Sequence, residues 1–377
     1  MSALLFLLTA VSLVLNLRAP FRFSLAFFCP LLMCLYGLGQ ALWSEQKIIF
    51  NGLEKSCFWL TAATIAFLAT HAFQKRSLAD DVRIAFAAFG SFEALLSLLE
   101  QASHTGNYFW LFPSGFPDIF GTFAYYNNFA QIIELTLPVT LWEGVRHREI
   151  RLPYLLLAAL QVGAVVSSSS RAGAVLVLGE LFVVLLAASL QRRNSVSLPV
   201  VALALTLSFG FTFVAGFHQV LQKLERPDQL ANRRYLNESS LRMIQARPLT
   251  GWGLGAYVPV YKKFALYDDG TWVNQAHNDY LEWAAEGGIP YALVMVLLIG
   301  WTIRPAFRSV WGIGLVAFAL HALVDYPFAR LGTCGWYFAL AGMLTAQQSS
   351  NNHERRHKRT DLREVAPAEC PEIASLT

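Results

Sequence analysis

The residues best suited to chemistry lie in one run, Asn274-Gln-Ala-His-Asn-Asp-Tyr-Leu-Glu-Trp-Ala-Ala-Glu-Gly-Gly-Ile-Pro290. Histidine is the side chain most often used as a general base, and His277 is the candidate here. Upstream stands Arg247-Pro-Leu-Thr-Gly-Trp-Gly-Leu-Gly-Ala-Tyr257, with Gly251, Gly253 and Gly255 at alternate positions. Such glycines let a backbone approach another group closely. The run lacks the strand-then-helix setting of a nucleotide fingerprint. Arg171 sits in Ser167-Ser-Ser-Ser-Arg-Ala-Gly173 between two apolar stretches, and Arg233, Arg234, Arg242 and Arg247 follow in a long polar segment. Guanidinium is a permanently charged planar fork that grips phosphate oxygens in pairs. One histidine among several arginines suits a lipid-linked phosphate or diphosphate substrate. Gly121-Thr-Phe-Ala-Tyr-Tyr-Asn-Asn-Phe-Ala130 offers Tyr125 and Tyr126 to an interfacial aromatic belt, or for stacking on sugar rings.

The elements that must position these residues are apolar. The chain has 377 residues, 55% hydrophobic and 14% charged, with a mean hydropathy of +0.43. Soluble domains carry about 25% charged residues. So little charge cannot clothe a globule, and the composition predicts an all-α polytopic membrane protein. Eleven apolar segments (range 10–12) fall near 3–17, 24–42, 57–73, 84–99, 127–144, 152–169, 174–190, 198–216, 289–303, 309–324 and 331–346. Arg18 and Arg22 follow the first segment, whereas a signal peptide carries its charge in front, so 3–17 reads as a span with the N-terminus outside.

The positive-inside rule orients the rest. Alternate loops and the tail hold seventeen of the 29 Lys and Arg; the short loops opposite hold only Lys47, Lys55, Arg171 and Arg330. This predicts a cytoplasmic C-terminus. It divides the chain into an N-terminal bundle (1–216, with an outside loop at about 100–126), a large periplasmic loop (217–288), C-terminal spans (289–346) and a polar tail (347–377). Within the spans, Glu93, Glu134 and Glu180 should face the interior, paired or protonated. His321 and Asp325 are four apart, the spacing of a bonded pair on one helix face. The acidic pair Asp268-Asp269 before Gly270 reads as a turn. The five cysteines show no metal-ligand or redox spacing and read as structural thiols. No nucleic-acid motif is present.

Taken together, these segments resemble the O-antigen ligase and polymerase superfamily of bacterial envelope glycosyltransferases. Its HN, nine residues, GxxG pattern is met by His277, Asn278 and Gly288, with Tyr291 where the last glycine would fall. Pro248 to Gly255 resembles its Pro-Gly element, Ser168 to Gly173 its S-x-S-R-x-G turn, and Gly121-Thr-Phe with Asn127 and Asn128 its G-T-F and N-N element. Arg233, Arg234 and Arg242 all compete for its second arginine, and the tryptophan usual before the proline is absent. The resemblance implies a GT-C-like membrane fold without cofactor or metal. It implies an inverting glycosyltransferase in the bacterial inner membrane, drawing its donor glycan from undecaprenyl diphosphate. His277, Arg171 and Arg233 or Arg234 would be catalytic; Asn278, Arg242, Gly251, Gly253, Gly255, Asn128 and Tyr126 would bind substrate. Ligation of O-antigen to lipid A–core is the leading expectation. Glycan polymerisation and protein O-glycosylation are the enzymatic alternatives, and a lipid-glycan transporter the non-enzymatic one.

Overall fold

The computed structural model describes residues 23–43, 49–73, 76–103, 105–116, 119–190, 198–224, 229–266, 273–304 and 309–346. Helices α1 (Leu25–Trp43), α2 (Ile49–Ala72) and α3 (Arg76–Ser103) lead to a two-stranded antiparallel hairpin, β1 (Asn107–Tyr108) and β2 (Phe112–Pro113). Then come α4 (Tyr126–Arg146), α5 (Arg151–Ser168), α6 (Arg171–Leu190), α7 (Leu198–Leu224), α8 (Gln229–Ala246) and the short α9 (Tyr257–Tyr261). The last helices are α10 (Asp279–Ile303) and α11 (Ile313–His321), with α12 at Leu331–Ala346. The chain is an all-α, multi-pass membrane protein.

Helices occupy ten of the eleven apolar segments. The segment at 3–17, the Asp268-Asp269 pair and the tail from 347 lie outside the described residues. Among the described residues, five helices are long and apolar enough to cross a membrane: α1, α3, α5, α6 and α10. Two boundaries differ from the sequence reading. α7 continues to Leu224, and α10 begins at Asp279 rather than at Ile289. Gly288, at φ +83 and ψ 167, is non-helical, so α10 is two helices joined at a kink: a polar one that opens at Asp279 and the apolar one that begins at Ile289, where the sequence places the span.

α4 is the spine of the bundle. From Phe129 to Val145 every residue except Trp142 is buried, including Gln131, Glu134, Thr136, Thr140 and Glu143. It packs against α3, α5, α6 and α11. A helix enclosed by other helices needs no lipid-facing side, which is why its polar residues survive. Pro138 lacks an N–H and leaves the Glu134 carbonyl without its helical donor. Gly314 of α11 meets that carbonyl, and a Cβ there would collide with it.

The apolar core falls into three clusters. One joins α1, α2, α10, α11 and α12; a second joins α3 to α7 around α4. The third gathers Met243, Ile244, Tyr257, Val260 and Ala285, and so ties α8 and α9 to the start of α10. Helix directions place the end of α3, the start of α4, the end of α5 and the start of α6 at one end of the bundle. The basic turn from Arg146 to Arg151 lies at the other end of α4, about 30 Å away at 1.5 Å per residue.

Candidate active site

His277 is presented by the start of α10. Its backbone is left-handed, with φ +52, a conformation uncommon outside glycine and one that needs local support. That support is visible on both sides. Asn278 caps α10 by accepting the Leu281 N–H at 3.1 Å. Glu282 reaches back to accept the Ala276 N–H at 2.9 Å, a variant of the reciprocal capping arrangement. The Asn278 side-chain oxygen is therefore engaged in holding His277 in place.

The start of α10 is bonded to the turn that follows α11. The Asp279 N–H donates to the Ala322 carbonyl at 3.0 Å and the Asp325 carbonyl at 3.3 Å. The Asp279 carboxylate accepts the Phe328 N–H at 2.9 Å. These bonds bring Asp325 opposite His277. Asp325 Oδ1 lies 3.1 Å from His277 Nδ1, and Gln131 Nε2 of α4 donates to Asp325 Oδ2, also at 3.1 Å. Asp325 is wholly buried, whereas His277 retains 26% side-chain exposure. A carboxylate accepts only, so the Nδ1 proton points at Asp325 and the lone pair stays on Nε2. Such a histidine can take a proton from a hydroxyl.

The expected His321–Asp325 bond does not form. α11 ends at His321 and the chain turns at Ala322, so Asp325 leaves the helix face on which i and i+4 meet. His321 Nδ1 instead lies 2.6 Å from Glu134 Oε1, both side chains fully buried. Glu93 accepts the Thr122 N–H at 2.9 Å and its hydroxyl at 3.1 Å. Glu180 is buried with neither oxygen hydrogen-bonded.

Two tyrosines frame the histidine. Tyr326 meets it edge-on at 4.8 Å, and Tyr125 at 6.4 Å. The tyrosines lie parallel to each other, 8° apart in plane and 5.8 Å between centroids. The Arg330 guanidinium sits 5.3 Å from the Tyr326 ring centre. Burial and the charge of Asp325 push both phenols above their usual range, and Arg233 opposes this at Tyr125. Both hydroxyls therefore stay neutral at physiological pH.

Tyr125 also links the histidine to the Arg171 turn. The Tyr125 hydroxyl accepts from Asn127 Nδ2 at 3.0 Å, and Asn127 Oδ1 accepts from the Ser170 hydroxyl at 2.6 Å. Ser170 caps α6 through the Gly173 N–H at 3.1 Å, which leaves Arg171, exposed, as the first residue of the helix. Of the competing arginines, Arg233 is half-buried and its charge acts on Tyr125, while Arg234 and Arg242 are exposed on α8. Tyr126 packs against Phe120 and Tyr125, and Asn128 is half-buried on the first turn of α4.

The glycine run meets protein backbone. Gly251, Gly253 and Gly255 have φ of +64, +107 and +76. The Trp252 and Gly253 N–H groups donate to the carbonyls of Ala285 and Glu286 at 3.0 and 2.8 Å, and Ile289 returns a bond to the Pro248 carbonyl at 2.8 Å. A Cβ on Gly251 would strike the Glu286 carbonyl; one on Gly288 would strike that of Leu249. The run thus clasps the Gly288 kink and braces the helix that carries His277. Tyr291, at the position of the family's last glycine, stacks on Tyr36 with centroids 4.6 Å apart.

Sequence reasoning passed over Asp325 as a partner of His277, and with it Gln131, Tyr326 and Arg330. The signal that marks them is the short loop Asp325-Tyr-Pro-Phe-Ala-Arg330, where an acid and an arginine interrupt two apolar segments.

Residues 156–296 match the family model described as O-antigen ligase; no curated protein matches the chain. The matched stretch runs from α5 past the Gly288 kink and includes Arg171, the α8 arginines, the glycine run and His277. Over these residues the chain carries the signature of the O-antigen ligase family, in agreement with the superfamily that its motifs resemble.

Proposed function

We propose that this protein transfers a glycan from undecaprenyl diphosphate to an acceptor hydroxyl at the periplasmic face of the bacterial inner membrane, with O-antigen ligation to lipid A–core as the reaction. An enzyme of the O-antigen ligase and polymerase type is the coarser reading that the family match supports. The observation that carries the finer one is the His277–Asp325 pair, at the end of the bundle where the Arg171 turn joins Tyr125 through Asn127 and the charge of Arg233 acts on it.

In this reading the acceptor hydroxyl oxygen attacks the anomeric carbon of the donor sugar. The bond from that carbon to the diphosphate oxygen breaks on the opposite face, with inversion. His277 Nε2 takes the hydroxyl proton as base, and Asp325 steadies the resulting imidazolium. Arg171 and Arg233 stabilise the charge that develops on the departing undecaprenyl diphosphate. The paired tyrosines offer sugar rings an apolar wall. Asn278 and the three glycines serve by holding α10, while Asn128, Tyr126 and Arg242 are left to the glycan. The periplasmic site fits an N-terminus outside and a C-terminus in the cytoplasm, with 217–288 as the periplasmic unit between two membrane bundles.

The test is a deletion strain complemented with parent or His277→Ala protein, with lipopolysaccharide resolved on gels. Ligation predicts loss of all capped bands, restored by the parent alone. Core carrying a single repeat identifies a polymerase, and loss of glycan from a secreted protein a protein glycosylase. Full capping by folded His277→Ala protein overturns the assignment.

A further inference from the structure

Residues 105–116 read Thr-Gly-Asn-Tyr-Phe-Trp-Leu-Phe-Pro-Ser-Gly-Phe, without a charged side chain. They form the β1–β2 hairpin beyond the end of α3. Its turn places Phe109 and Trp110 at φ +52 and +62, a backbone region that bulky residues rarely adopt. The turn is nonetheless pinned from several directions. Glu100 of α3 accepts the Phe109 N–H at 2.9 Å, the Trp110 indole N–H donates to the Ser103 hydroxyl at 2.8 Å, and the Ser114 hydroxyl bonds to the Gly106 carbonyl at 2.6 Å. The backbone is fixed, yet its apolar side chains face outward: Leu111 is 74% exposed and Phe112 62%, with Phe109, Trp110 and Phe116 exposed as well.

A fixed turn presenting apolar groups to solvent implies a surface to receive them. The position of the hairpin identifies that surface. α3 is long and apolar enough to span a membrane, and Ile84, Phe92, Leu95 and Leu99 form an exposed stripe along it. The hairpin follows directly on the C-terminal end of this helix, the end at which a span of this length reaches the headgroups. Aromatic side chains concentrate at that depth.

We propose that the hairpin is an interfacial finger seated in the leaflet boundary on the side of the candidate site, with lipid as its occupant. Because the segment is uncharged, seating comes from apolar burial and not from attraction to anionic headgroups. The finger and the site share one anchor. Glu93, on the same helix as Glu100, holds Thr122, three residues before Tyr125. Seating the finger therefore fixes how far the Tyr125 end of the site stands from the lipid surface.

The test uses full-length protein in vesicles and needs no transferase assay. Cys57 and Cys370 are replaced by Ser; Cys29, Cys34 and Cys334 are buried. A fluorescent label is placed by Leu111→Cys, by Phe112→Cys in a second preparation, and by Lys263→Cys as an exposed reference. Expected at 111 and 112 is strong quenching by lipids with a nitroxide near the headgroup, with iodide protection relative to 263. The emission should be the same in neutral and anionic vesicles and at low and high salt. Iodide quenching equal to that at 263 overturns the proposal. So does protection from both quenchers, which marks a protein cover, and so does emission that follows lipid charge.

Discussion

Replacing Asp325 with Asn tests the core of the site with almost no change in shape. Each Asp325 oxygen accepts one hydrogen bond at 3.1 Å, from His277 Nδ1 and from Gln131 Nε2, in a wholly buried setting. Asparagine has one accepting oxygen and one donating NH₂. Either the NH₂ faces Gln131, whose amide turns to offer its unpartnered Oε1 while His277 loses the carboxylate that steadies its imidazolium, or it faces His277. In the second case Nδ1 must accept, the ring proton moves to Nε2, and the base is lost. General-base assistance contributes about 10²–10⁴ in rate, equivalent to about 2.7–5.4 kcal/mol of barrier. Loss of a hydrogen bond to a charged group costs about 1.5–3 kcal/mol of stability. The rate should therefore suffer more than the fold. With purified protein, a lipid-linked glycan donor and acceptor, Asp325→Asn is expected to lower kcat on the order of 10²–10⁴-fold, with KM near that of the parent. A folded Asp325→Asn protein whose kcat stays within a few-fold of the parent refutes the reasoning.

Other outcomes follow from the same geometry. Arg233→Ala and Arg171→Ala should each cost about 10²–10³ in transfer rate, whereas Arg234→Ala, exposed on α8, should leave the rate close to the parent's; equal losses at 233 and 234 contradict the assignment. Gly251→Ala should lower the unfolding temperature markedly. Its φ of +64 costs an L-residue about 1–2 kcal/mol, before its Cβ meets the Glu286 carbonyl. Burial raises the Tyr257 phenol above its usual range. Above about pH 10 the unfolded chain releases that proton while the folded chain keeps it, so stability falls as pH rises. Thermal melts from pH 8 to 11 should show a shallower alkaline decline for Tyr257→Phe.

Much of the architecture was legible because lipid-facing helices announce themselves by hydropathy. Ten apolar segments became helices, and α10 was displaced only at its polar first turns. The special backbone at the glycine run was legible too, since alternate glycines at positive φ have few other uses. What the run touches was not, because Glu286 and Leu249 are set opposite it by folding and not by spacing. The error at His321 and Asp325 has a definite cause: i, i+4 pairing assumes a continuing helix, and α11 stops at His321. α4 was read as one more span although hydropathy alone does not qualify it. Two of its polar residues, Gln131 and Glu134, have partners far along the chain.

That last feature bears on how the protein is made. Glu134 meets its imidazole partner 187 residues later, and Gln131 its carboxylate 194 residues later. When α4 leaves the ribosome, neither partner has been translated. Until His321 and Asp325 follow, Glu134 and Gln131 lack these partners. A chain halted before α11 would leave both groups buried without them, a costly state in an apolar bundle. The C-terminal fifth of the sequence thus supplies the partners that satisfy the buried Glu134 and Gln131 of α4.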